Sequence, residues 1–154
     1  MNRSSPLVLL VEPDARTVRA LEAALQGVAA TISCADYRTA RQRLSDTQPD
    51  LLVANLRLEA FNGLHLVYLA RLVSPDTVCL VYQVHHDIGL ARMVQAAGAF
   101  YERRECLPAA IAAYLEWDLP AQDRRDPANA DRRGDFRGGR RVVDFRVVPG
   151  GLDL

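Results

Sequence analysis

Leu7-Val8-Leu9-Leu10-Val11 is a continuous apolar run of strand length, and Glu12-Pro13-Asp14 follows it directly. An unbroken apolar run is typical of a strand that is buried on both faces of a parallel sheet. Over residues 14–26 apolar side chains recur three and four positions apart, which predicts a helix that Asp14 caps and Gly27 ends. The chain therefore opens with a buried strand that returns through a helix.

The same alternation continues to about residue 118. We predict further strands at 28–33, 50–54, 78–81 and 99–102, and further helices at 35–45, 62–73, 87–97 and 107–117. Five strands, each followed by a helix, indicate an α/β fold with a doubly wound parallel sheet that is covered on both faces. The working site of such a sheet lies at the carboxyl ends of its strands. Here those ends carry Glu12-Pro13-Asp14, Asn55 and Gln83.

Composition limits the possible functions of the 154-residue chain. Nineteen basic residues balance nineteen acidic ones, so no overall positive charge favours nucleic acid or acidic lipid. Every basic residue is Arg, which excludes lysine-based Schiff-base chemistry and the lysine of a phosphate-binding loop. Three scattered cysteines form no metal-ligand pair. We find no signal peptide and no apolar run of membrane-spanning length, and we expect a cytoplasmic protein.

The composition changes near residue 118, and we predict three parts: residues 1–118, 119–141 and 142–148. The middle part is rich in Arg, Asp, Gly and Pro and is predicted to be a disordered linker. The last is an isolated strand with Val143, Phe145 and Val147 on one face. A lone strand cannot fold by itself. It packs on its own domain, adds to a partner's sheet edge, or begins a second domain.

Over residues 6–118 the order of elements resembles the receiver domain of bacterial two-component response regulators. Four stretches carry the resemblance: Leu7-to-Val11 with Glu12-Pro13-Asp14, Gln48-to-Asn55, Phe61-Asn62-Gly63-Leu64, and Gln95-to-Ala99. The resemblance implies a flavodoxin-like sheet with strand order 2-1-3-4-5. It also implies a role in signal transduction, in which a histidine kinase phosphorylates an aspartate at the end of the third strand.

The residues that this family uses for phosphotransfer are replaced here. The acceptor position falls on Asn55, a carboxamide that cannot form an acyl phosphate. The Mg²⁺-binding acidic pair falls on Glu12 and Pro13, with Asp14 next, and the hydroxyl and lysine positions fall on Gln83 and Arg104. The resemblance therefore implies a degenerate receiver, or pseudo-receiver, with no enzymatic activity, no cofactor and no bound metal. Glu12 as a solvated carboxylate, and Asn55 as a residue that binds loop amides, are the structural alternatives.

A pseudo-receiver must act through protein–protein contact. We predict that the surface from Asp87 to Trp117 carries it and supports a homodimer through the fourth helix, fifth strand and fifth helix. The predicted anchors are Met93, Tyr101, Tyr114 and Trp117, with burial against the sheet as the alternative for each.

Two other functions stay open. In the first, the strand at 142–148 binds to the edge of a partner's sheet. In the second, the pocket at Asn55 binds a small anion, and Arg104 contacts that anion. We expect no nucleic-acid partner, since Asp residues interrupt the arginine pairs. We also expect no nucleotide-binding enzyme, because the turn after the first strand has no glycine to approach a phosphate.

Overall fold

The structure is a computed structural model, and it describes residues 5–116, 119, 122–123 and 125–126. Its strands are β1 (Leu7–Val11), β2 (Ala30–Cys34), β3 (Leu51–Asn55), β4 (Arg57–Leu58), β5 (Phe61–Asn62), β6 (Val78–Gln83) and β7 (Phe100–Arg103). Its helices are α1 (Ala15–Leu25), α2 (Tyr37–Thr47), α3 (Gly63–Val73), α4 (Ile88–Ala96), a short 3₁₀ turn (Arg104–Cys106) and α5 (Leu107–Glu116).

Five of these strands form one parallel sheet in the order β2-β1-β3-β6-β7. Since β6 and β7 are the predicted fourth and fifth strands, the predicted order 2-1-3-4-5 is confirmed. Leu9 and Val11 of β1 lie in a core with residues of α2, α3 and α4. Val8 and Leu10 point to the opposite face, into a core with residues of α1 and α5. The sheet is therefore covered on both faces, as the unbroken apolar runs of its three central strands predict.

Side-chain caps fix where four of the helices begin. Asp14, Asp36, Asn62 and Asp87 stand at the N-caps of α1 to α4 and accept hydrogen bonds from backbone N–H groups of the first turn. Each satisfies a donor that the helix itself leaves without a partner. The helix positions predicted from the sequence are confirmed to within two residues.

One element, the hairpin of β4 and β5, was not predicted from the sequence. These two-residue strands pair antiparallel, with Glu59 between them at a φ of +47°. Two residues are too short to show a hydrophobic period, so no pattern marks them. The hairpin lies directly between Asn55 and the start of α3, at the carboxyl edge of the sheet.

The chain beyond α5 departs from its prediction. Asp123 and Arg125 are buried, with 8% and 3% exposure, and Leu119 packs against the core below α5. The prediction of a disordered linker is therefore wrong at these residues. Residues 120–121, 124 and 127–141 of the linker and the strand at 142–148 lie outside the described residues. Within the described part of the chain, no helix has the length and apolarity to cross a membrane.

Candidate functional site

Glu12 lies at the centre of the carboxyl edge of the sheet, just past β1, and is 4% exposed. Its Oε2 accepts a hydrogen bond from Asn55 Nδ2 at 2.9 Å and another from the Tyr82 hydroxyl. Its Oε1 accepts the backbone N–H of Asp14 at 2.7 Å. Both oxygens of this buried carboxylate are thus engaged by protein donors. The alternative of a solvated Glu12 is wrong, because the donors of β3 and β6 converge on it.

Asn55 ends β3 beside Glu12, and its amide is fixed from both ends. While Nδ2 donates to Glu12, Oδ1 accepts the backbone N–H of Arg57 at 2.9 Å. These two bonds leave only one orientation of the amide that satisfies both neighbours. The interpretation of Asn55 as a residue that binds a loop amide is confirmed by the bond to Arg57.

The turn that follows Asn55 is closed by a glycine. A Cβ on Gly63 would lie 2.5 Å from the backbone carbonyl oxygen of Asn55, closer than any side chain tolerates. The N–H of Gly63 also donates to the carbonyl of Leu56 at 2.9 Å. The start of α3 therefore packs directly against the end of β3, which explains the Asn62-Gly63 pair in the sequence.

Tyr82 belongs to this site although sequence reasoning did not select it. Its ring lies in the core beneath α1 and α5 with 1% exposure, and its hydroxyl reaches Glu12. Burial, reinforced by the hydrogen bond to the Glu12 carboxylate, raises the pKa of the Tyr82 phenol far above its usual value. A buried tyrosine hydroxyl needs a partner, and this need was the signal that could have found it.

Gln83 contributes the polar wall of a small pocket next to Asn55. The pocket has a volume of about 290 Å³ and is lined by Asn55, Arg57, Gln83, Val84 and His85. Gln83 Nε2 donates to the backbone carbonyl of His85 at 2.6 Å, and Gln83 Oε1 is buried without a hydrogen-bond partner among the described residues. The arrangement gives this pocket one cation, Arg57, and no carboxylate.

Arg104, Asp14 and Pro13 do not join Glu12 in a common ligand set. Arg104 lines a separate pocket of about 550 Å³ between α1 and the start of α5, and Asp14 lies in the same pocket. The hydroxyl and backbone N–H of Thr17 hold the pKa of the Asp14 carboxyl below its usual value, as expected for a helix cap. Pro13 is exposed. Among the described residues, no group of three His, Cys, Asp or Glu side chains could hold a metal ion.

Comparison with known proteins places this geometry in a known fold. No protein-family model and no curated protein matches the chain. A two-component response regulator of the LuxR family from Aurantimonas sp. SI85-9A1 matches with 23% identity and a TM-score of 0.66, over 73% of this chain and 86% of that one. The fold is that of a response-regulator receiver domain.

Two further solved structures give the same result. A CheY-like response regulator receiver domain protein from Methanospirillum hungatei JF-1 has a TM-score of 0.67 and 15% identity, over 73% of this chain and 92% of that one. The beryllofluoride-activated NtrC4 receiver domain dimer has a TM-score of 0.65 and 19% identity, over 71% of this chain and 96% of that one. At such low identities the similarity shows the receiver fold.

On this receiver fold, two of the four predicted anchors are buried. Tyr101 has 0% exposure, and its hydroxyl lies 3.3 Å from both the carbonyl of His85 and the N–H of Asp87. Tyr114 has 7% exposure and donates to Glu102 at 2.8 Å. The prediction that these rings are exposed anchors is wrong, because each hydroxyl finds its partner inside the fold. Met93 is 53% exposed on α4, and Trp117 lies outside the described residues.

Proposed function

We propose that the chain is a pseudo-receiver: a signalling module that keeps the receiver fold and works through protein–protein contact without phosphoryl transfer to residue 55. The observation that carries this proposal is the fixed amide of Asn55, held between the Glu12 carboxylate and the backbone N–H of Arg57. A response regulator with this residue has no carboxylate at the end of β3 to accept a phosphoryl group.

The chemistry of the site supports the proposal in two ways. The lone pair of an amide nitrogen is delocalised into the carbonyl, so Asn55 is a poor nucleophile and forms no acyl phosphate. A hard divalent cation also needs several oxygen ligands. Glu12 already accepts three protein donors, Pro13 has no side-chain oxygen, and Asp14 caps α1. The carboxyl edge is built as a closed hydrogen-bond network in place of a cation site.

Contact with another protein would use the exposed apolar residues near α4. Val84, Ile88 and Met93 are each between 40% and 53% exposed, and they lie on the loop before α4 and on α4 itself. Large apolar side chains that stay exposed on one loop and the helix after it are typical of contact surfaces. The partner is another signalling protein or a second copy of the chain; one of the structural neighbours is itself named as a receiver domain dimer.

Acetyl phosphate with Mg²⁺ tests the proposal directly. The full chain is incubated with this small phosphodonor and examined by intact-mass spectrometry, with Asn55→Asp as the matched variant. We expect no phosphoryl adduct on the wild type and the same sedimentation profile with and without the donor. An acid-stable or acid-labile adduct on the wild type that changes its sedimentation would contradict the proposal.

A further inference from the structure

The outer edge of β7 is completed by side chains from beyond α5. Among the described residues, β7 is the last strand of the sheet and pairs only with β6. An edge strand leaves every second backbone N–H and C=O without a strand partner. At Tyr101 both groups are satisfied: the N–H lies 3.5 Å from Asp123 Oδ2, and the carbonyl accepts from Arg125 Nη2 at 2.6 Å. The segment around Asp123 and Arg125 thus closes the sheet at this point.

The Arg125 guanidinium is bound on all three of its nitrogens. Nε donates to Asp123 Oδ1 and Nη2 to Asp123 Oδ2, both at 2.8 Å, in a two-point contact. Nη1 donates to the carboxylate of Glu102. This planar fork of donors matches a set of acceptors that a lysine ammonium cannot satisfy together. The acceptors therefore form a site specific for guanidinium.

The acceptors themselves are held in place by the fold. Glu102 is 1% exposed, and its Oε1 also accepts the Tyr114 hydroxyl at 2.8 Å. Burial raises the pKa of the Glu102 carboxyl, and the charge of Arg125 opposes that rise. A buried carboxylate of this kind is costly without a cation beside it. The buried Glu102 carboxylate consequently requires a cation beside it for the stability of the fold.

The same segment bridges the two helices that flank β7. Gln95 Nε2, on α4, donates to the backbone carbonyl of Arg125 at 2.8 Å, and Leu119 packs against the core below α5. The described residues from 119 to 126, which we name the C-terminal strap, thus contact α4, β7 and α5. This is the face through which the sequence analysis predicts partner contact.

We propose that the outer edge of β7 is a binding site for one arginine side chain, that Arg125 of the same chain occupies it, and that a bound Arg125 prevents a partner segment with an arginine from binding to this face. The second half rests on the proposed function, since it treats the face as a contact surface. The partner segment would be extended, so that its backbone follows β7. It would carry an arginine with an acidic residue two positions before it, in the place that Asp123 takes relative to Arg125.

Chemical rescue tests the arginine site in the full-length chain. Arg125→Ala leaves Glu102 and Asp123 without their cation, and millimolar ethylguanidinium should restore part of the lost thermal midpoint in a saturable way. Ethylammonium at the same concentration should not. Arg41→Ala removes an arginine that is exposed on α2 and serves as the matched control. The site is supported if ethylguanidinium raises the thermal midpoint of Arg125→Ala, while ethylammonium does not and neither reagent raises the midpoint of Arg41→Ala. It is overturned if the two reagents have equal effects on both variants.

A labelled peptide with the sequence of residues 119–128 tests closure. Full-length Arg125→Ala should bind it at least about tenfold more tightly than the wild type, because the wild-type site is already filled. A peptide with lysine at the position of Arg125 should lose this binding. Equal binding to both proteins, or to neither, overturns the proposal.

Two measurements keep the test decisive if Arg125→Ala does not fold. Arg125→Lys keeps a positive charge but lacks the planar fork of donors, so it should have a lower thermal midpoint than the wild type; an equal midpoint overturns the specificity for guanidinium. Hydrogen exchange of the Tyr101 amide in the wild type is the second reading: slow exchange supports the closed edge, and exchange at the rate of an open loop overturns it. Failure of these tests leaves the phosphoryl-transfer experiment at Asn55 unaffected, so the two proposals fail separately.

Discussion

Two buried glutamates of this protein are each bonded to a buried tyrosine, and they differ in their third partner. Glu12 accepts from Tyr82 and from the amide of Asn55, all within the sheet. Glu102 accepts from Tyr114 and from the guanidinium of Arg125, which comes from beyond the last helix. One carboxylate is thus satisfied by neutral donors that the fold supplies locally. The other depends on a cation 23 residues away in the chain.

This difference indicates which of the two regions can change state. The network around Glu12 is made of strand-end residues of β1, β3 and β6, whose positions the sheet fixes. The cluster around Glu102 is complete only when the C-terminal strap lies against β7. Under the proposed function, the strap is therefore the element whose attachment a partner would alter, since release at Arg125 does not require the sheet to open.

Removal of Arg125 should have the largest effect on stability. We expect Arg125→Ala to lower the free energy of unfolding by about 3–5 kcal/mol near neutral pH, because it leaves the buried Glu102 carboxylate unpaired. Loss of the cation raises the Glu102 pKa further, so the folded variant takes up a proton that the unfolded chain does not bind. The difference in the free energy of unfolding between the wild type and Arg125→Ala should therefore shrink as the pH falls from about 7 to 5. Urea unfolding of both proteins at each pH measures this difference.

The control for this prediction is Arg41→Ala on α2, which should change the free energy of unfolding by less than about 0.5 kcal/mol at either pH. If Arg125→Ala lowers the free energy of unfolding by the same amount at both pH values, the charge of Glu102 is not the cause of the loss.

A charge introduced among the neutral donors that bind Glu12 should have the next largest effect on stability. Asn55→Asp replaces the donor to Glu12 with a second carboxylate, and we expect a loss of about 1–3 kcal/mol near neutral pH from repulsion between the two groups. Mg²⁺ should recover part of this loss in the variant, because two adjacent carboxylates attract a hard cation. The wild type should show no such effect in thermal unfolding with and without Mg²⁺. Stabilisation of the wild type by Mg²⁺ would mean that the hydrogen-bond network around Glu12 is open to a cation.

Deletion of the two tyrosine hydroxyls should have the smallest effect and compares the glutamates most directly. We expect Tyr82→Phe and Tyr114→Phe each to cost about 1.5 kcal/mol, the lower end of the range for a hydrogen bond to a charged group. Tyr82→Phe should cost more, since the donors left on Glu12 are neutral, whereas Glu102 keeps the Arg125 cation. Chemical unfolding of both variants measures the difference. The reverse order would mean that Arg125 does not compensate the Glu102 charge.

The sequence predicted those features that depend on local pattern. Unbroken apolar runs marked the three central strands β1, β3 and β6, and the polar residues that ended the runs of β1 and β3 brought Glu12 and Asn55 to one edge of the sheet. Tyr82 was missed because it lies inside an apolar run, where nothing distinguishes a ring with a bonded hydroxyl from one without. The burial of Tyr101 was not decided for the same reason.

Arg125 could not be predicted because its surroundings in the sequence are polar. Composition assigns such a stretch to a linker, since it contains little apolar surface to bury. The residue is nevertheless buried by pairing with Glu102 and Asp123, which are contributed by β7 and by the strap itself. A pairing between residues far apart leaves no periodic signal in one sequence.

The closure of β7 also bears on self-association. An exposed sheet edge is a template on which a second chain can add a strand, and such additions propagate into aggregates. In this protein the backbone N–H and C=O of Tyr101 are taken up by Asp123 and Arg125, which obstruct the addition of a foreign strand at that position. The same arginine that stabilises Glu102 thus helps keep the protein from polymerising through β7, and any event that releases the strap opens that route.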